Sequence, residues 1–169
     1  MGRSSKVPLR AAWTPAALLL AAVAVPSTAA AQHGTTGEWL TYGGDPGHTR
    51  YSSLDQINPS NVADLEIVWR FTARNYGPNP FAQSEATPLY VDGVLYATLG
   101  QRRDVVAIDP GTGETLWMWR NFESPERLGD APRLNSGRGV SYWTDGQGND
   151  RILTVTPGYH LVALDAHTG

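Results

Sequence analysis

The chain has 169 residues, with 13 basic and 16 acidic side chains, four histidines, six tryptophans, 18 glycines and no cysteine, for a formal net charge of −3. The acidic balance argues against nucleic acid as a partner, because phosphates demand a basic face. Lacking cysteine, the chain has no disulfide and no thiolate metal site, so its stability must come from burial and strand pairing.

Residues 1–31 read as a signal peptide. Arg3, Lys6 and Arg10 give a basic start, residues 16–25 an apolar core, and Ala29-Ala30-Ala31 a small-residue cleavage site. The apolar core is too short to span a bilayer as a stable anchor, an uncleaved anchor being the alternative reading. Cleavage after Ala31 leaves 10 basic against 16 acidic residues, so the exported segment is more acidic than the whole chain.

Residues 32–64 form a polar, turn-rich extension. Within it, Asn58 at an N-cap and Pro59 at the first helical position predict a single helical turn. Residues 65–72 alternate as a strand, with Ile67, Trp69 and Phe71 on one face, and 75–80 read as a loop. The first complete unit spans 84–120. Its strands are expected at 86–91, 94–99, 104–108 and 115–120, and Asp92-Gly93 makes a two-residue hairpin between the first two. Residues 121–137 form a connection longer than an ordinary hairpin loop. A second, incomplete unit spans 138–169, with strands at 139–143, 151–156 and 160–165.

The two units share a text. Ala107-Ile108-Asp109-Pro110-Gly111-Thr112-Gly113 returns as Ala163-Leu164-Asp165-Ala166-His167-Thr168-Gly169, with both Asp and final Gly displaced by 56 residues. In the first copy Asp109 bonds across a turn, Pro110 presets φ, Gly113 takes positive φ, and Trp117 follows on the returning strand. A period near fifty with four strand-like runs per unit predicts an all-β fold built of propeller blades. Two blades cannot bury their faces alone, so residues 65–169 are expected to be the N-terminal part of a longer propeller. Residues 65–72 would complete its last blade and close the ring.

Three features carry a resemblance: the tryptophan-docking repeat; the lead-in Arg50-Tyr51-Ser52-Ser53-Leu54-Asp55-Gln56-Ile57-Asn58-Pro59-Ser60-Asn61-Val62, followed by Leu65 and Trp69; and Glu85-Ala86-Thr87-Pro88-Leu89 paired with Arg138-Gly139-Val140-Ser141-Tyr142-Trp143. On these the chain resembles the quinoprotein dehydrogenases, eight-bladed propellers of the periplasm that use pyrroloquinoline quinone (PQQ). The resemblance implies an oxidoreductase that moves hydride from an alcohol or aldose to PQQ with Ca²⁺, and hands electrons to cytochrome c or a membrane quinone. It also implies that Glu85 and Arg138, each just before the first strand of its unit, lie beside the cofactor. An arginine fork suits a carboxylate or quinone oxygen. The catalytic base and the Ca²⁺ ligands are expected beyond residue 169, so this segment alone should be inactive. Many relatives carry a cysteine pair in the loop before this arginine; here residues 130–137 make such a disulfide impossible.

The plainer alternatives are a structural arginine bonding loop carbonyls at 138 and a capping or surface acid at 85. Trp69, Trp117, Trp119 and Trp143 are expected to pack. His33, His48, His160 and His167 lack metal-ligand spacing, and Asp45 lacks the companion carboxylates of a calcium loop. A rival function is a non-catalytic propeller scaffold of outer-membrane assembly with the same repeat.

Overall fold

The computed structural model describes residues 37–76 and 84–169. The expected leader (1–31), the start of the extension and most of the loop before the first unit lie outside the described residues.

Among the described residues, seven strands form two antiparallel sheets. The first contains β1 (Leu89–Val91), β2 (Val94–Leu99), β3 (Asp104–Ile108) and β4 (Thr115–Trp119), in that order. The second contains β5 (Ser141–Thr144), β6 (Asp150–Val155) and β7 (Leu161–Asp165). At the β1–β2 hairpin Asp92 and Gly93 both take positive φ, 47° and 77°, as a primed turn requires.

The strand β3 is buried along its whole length because it faces two cores. Val105 and Ala107 join Leu89, Val91 and Tyr96 against Ile152 and Leu164 of the second sheet and against Val140 and Ala166 at its flanks. Val106 and Ile108 turn the other way, onto Tyr76, Trp69 and Phe71. Each Val, Leu or Ile among them contributes about 1.5–3 kcal/mol when fully buried.

Both copies of the repeated turn form, and each receives a tryptophan. Asp109 Oδ1 accepts the N–H groups of Gly111 and Thr112 at 2.8 and 2.9 Å, and Asp165 Oδ1 does the same for His167 and Thr168 at 3.0 Å each. The Trp117 indole donates to the Ala166 carbonyl at 2.9 Å, and the Trp69 indole to the Pro110 carbonyl at 2.8 Å. Trp69 therefore sits on the first sheet as Trp117 sits on the second. Tyr96 also donates to Ala166, and burial pushes its hydroxyl pKa up to about 12.

Some details depart from the sequence reading. Residues 65–72 belong to no ladder among the described residues. The segment is held instead by Trp69 and Phe71, while Ile67 and Val68 are exposed. The long connection contains a short helix, α1 (Pro125–Gly129), which Ser124 caps by accepting the Arg127 N–H at 3.3 Å. Trp143, expected to pack, is half exposed. The turn after Asn58 forms as read: Asn58 Oδ1 accepts the Ser60 N–H at 3.0 Å, and the chain continues as a 3₁₀ turn over Val62–Asp64.

Candidate functional site

The starts of β1 and β5 converge. Thr87 and Gly139 form a parallel bridge, and the Thr87 N–H donates to the Arg138 carbonyl at 3.5 Å. Gly139, at φ 104°, permits this approach: a Cβ there would lie 2.7 Å from the Thr87 carbonyl oxygen. The residues just ahead of the bridge are Glu85 and Arg138, and the structure brings them together, with Arg138 Nε 3.9 Å from Glu85 Oε2. Their side chains are 73% exposed for Arg138 and 32% for Glu85.

Arg138 lines two clefts. One, of about 410 Å³, lies between Leu40, Thr41 and Tyr42 on one side and the start of β5 on the other. The second, of about 400 Å³, is bounded by Arg103, Gly137, Leu153, Val155 and Leu161. Clefts of this size accept a ligand of a few fused rings. The N-terminal segment reaches the site because Trp39 pairs with Tyr90 on the flank of β1 opposite β2, exchanging two backbone hydrogen bonds of 2.8 and 3.1 Å. The Thr41 hydroxyl oxygen is buried and has no hydrogen-bond partner among the described residues. An exposed guanidinium on the cleft fits a ligand that brings its own carboxylates.

The role of bonding loop carbonyls belongs to another arginine. Arg103 donates to the carbonyls of Asn135 (3.3 Å), Val155 (3.0 Å), Thr156 (3.3 Å) and Arg133 (3.4 Å), and thereby ties the long connection to β6. Burial pushes its pKa down. Glu123 fixes the other end of the same connection. It accepts from the Thr156 hydroxyl at 2.5 Å and from the Gly158 N–H and Asn121 amide at 3.0 Å each. His160 Nδ1 lies 3.4 Å from it. Burial alone would raise this carboxyl, but the three donors and the His160 ring outweigh it and hold the pKa below its ordinary value.

Sequence reasoning missed Arg103, Glu123, Ser136 and Thr98 as supports of this region, because no local pattern marks a side chain that bonds backbone 30 or more residues away. Among the described residues no group of three or more His, Asp or Glu side chains is placed to hold a metal ion. His48 packs obliquely on Tyr42, and His167 lies 3.5 Å from Asp150.

Residues 39–169 match the family model for the β-propeller domain of PQQ glucose, ethanol and alcohol dehydrogenases. The dehydrogenase subunit of a quinone-type alcohol dehydrogenase from Acetobacter aceti is 38% identical over 99% of this chain and 22% of its own length. A 1-butanol dehydrogenase (cytochrome c) from Thauera butanivorans is 34% identical over 99% of this chain and 22% of its own. The crystal structure of quinohemoprotein alcohol dehydrogenase from Comamonas testosteroni superposes with a TM-score of 0.61 at 34% identity, covering 83% of this chain and 19% of that one. The chain thus spans about a fifth of the length of the relatives it matches.

Proposed function

Because the chain belongs to the β-propeller family of PQQ-dependent alcohol and glucose dehydrogenases, we propose that it is the N-terminal part of a periplasmic enzyme that oxidises an alcohol. Its two sheets would be consecutive blades, with residues 65–72 completing a blade contributed by later sequence. The observation that carries the reading is the Glu85–Arg138 pair, held where the starts of β1 and β5 converge and facing clefts of ligand size. PQQ, when bound, supplies the hydride acceptor. Arg138 would bind one of its carboxylates or quinone oxygens through charge-assisted hydrogen bonds, and Glu85 would hold the guanidinium in orientation. The catalytic base and the Ca²⁺ ligands would come from sequence after residue 169.

Alcohol is preferred to aldose as substrate because the relatives' names specify alcohols, and cytochrome c is preferred as electron acceptor on the name of the butanol enzyme. Export rests on the basic and apolar pattern of residues 1–31. A non-catalytic scaffold would account for the docking turns but would leave the Glu85–Arg138 pair without a task.

Titration of the metal-loaded, full-length apoprotein with PQQ, followed through quinone absorbance, tests the site. Arg138→Ala should weaken binding about 10- to 100-fold, the loss of a charge-assisted hydrogen bond of roughly 1.5–3 kcal/mol. Unchanged affinity would remove Arg138 from the cofactor shell.

A further inference from the structure

We propose that Ser136 is a positioning residue for the Glu85–Arg138 pair, an inference that rests on the quinone-site reading above. Ser136 is 2% exposed and lies two residues before Arg138. Its hydroxyl oxygen accepts the N–H of Glu85 at 3.1 Å. Its carbonyl is engaged elsewhere, accepting the hydroxyl of Thr98 at 2.5 Å, and Thr98 is itself 1% exposed.

This geometry extends a ladder. The Thr87 N–H donates to the Arg138 carbonyl, and two residues earlier the Glu85 N–H donates to the Ser136 hydroxyl. Both partners are 51 residues apart in sequence, so the second contact continues the parallel pairing by one rung. Parallel strands bond at every second residue of one chain. Here the carbonyl that would make the next rung is turned to Thr98, and the side chain of Ser136 stands in for it.

The added rung acts on the ends that matter. Glu85 precedes the bridge, so the Ser136 bond holds its backbone to the segment that carries Arg138. That segment is fixed from behind by Arg103 on the Arg133 and Asn135 carbonyls, and by Asn135 Oδ1, which accepts the Gly137 N–H at 3.0 Å. At 3.9 Å the Glu85–Arg138 contact is at the outer limit of an ion pair. A small drift of Glu85 would uncouple the carboxylate from the guanidinium and leave the fork free to reorient. In this scheme Ser136 acts through Glu85.

The test uses the metal-loaded full-length apoprotein and PQQ as titrant. Ser136→Ala should weaken PQQ binding about 5- to 10-fold and speed hydrogen exchange of the Glu85 amide at least 10-fold. Ser136→Thr, which keeps the hydroxyl, should stay within about twofold of the parent. In a Glu85→Ala background the added Ser136→Ala should cost nothing further, because the group it positions is gone. A purely structural serine would give equal losses in both backgrounds, and that result, or unchanged affinity with Ser136→Ala alone, overturns the proposal. Arg138→Ala separates the two levels of inference. If it leaves affinity unchanged, the quinone-site reading falls and this proposal with it; if it weakens binding while Ser136→Ala does not, only the positioning role is lost.

Discussion

Glu123 shows how one side chain ties the long connection down. Its side chain is 5% exposed and receives three hydrogen bonds from two different parts of the chain. Its carboxyl titrates below the ordinary glutamate value, so the folded form prefers the charged state more than the unfolded form does. The stabilisation is therefore complete above the unfolded value, about 4.3, and is lost as pH falls through the lower folded value. Glu123→Gln should cost about 1–3 kcal/mol at pH 7, since donors to a charged acceptor are left with a weaker partner. Urea unfolding of parent and variant from pH 7 to pH 3 should show the gap closing on the acid side; a gap independent of pH would mean the charge contributes nothing. Nothing in the residues around Glu123 announced this. Its partners Thr156, Gly158 and His160 come from the turn between β6 and β7, and only folding brings them near.

Among the elements, the docking turn was the most legible. Asp109, Gly113 and Trp117 were readable as turn and anchor because Asp bonds locally, glycine alone takes the required φ at no cost, and the motif occurs twice. The hairpin at Asp92-Gly93 and the bounds of β2 and β3 were equally plain, since alternation and turn residues coincide there. The helix α1 was hidden because a single capped turn has no periodicity to read. The structure supplies an internal control for the docking turn. Gly93 and Gly113 share a φ of 77°, but a Cβ at Gly93 meets nothing within 4 Å, whereas at Gly113 it would meet the Trp69 ring at 2.7 Å. Gly93→Ala should cost about 1–2 kcal/mol of backbone strain alone. Gly113→Ala should cost clearly more, because the indole must also move off its carbonyl. Equal losses in chemical denaturation would show that Trp69 docking adds little.

At the scale of the whole molecule, the two sheets are joined by the apolar core between them, the Trp117 and Tyr96 bonds to Ala166, the Thr87–Gly139 bridge with its serine rung, and Arg103. The core follows from sequence pattern; the carbonyl on which Trp117 lands and the Arg103 bonds do not. Arg103→Met should speed amide exchange in the Gly137–Val140 stretch and around the turn after β6, while β3 stays protected, because β3 is paired on both sides and fully buried. Uniform loss of protection would instead mean that Arg103 supports the fold globally. The pair Glu85 and Arg138 could be placed from sequence as equivalent positions of successive units; their contact across the bridge and the serine rung behind it needed three dimensions. Trp39 and Tyr90 pair at the centre of β1. With β2 on one flank and Trp39 on the other, β1 has no vacant peptide groups along that central stretch. Foreign segments that recruit a host by adding a strand need such vacancies. That margin is sealed against them, and a molecule arriving there must be recognised through side chains.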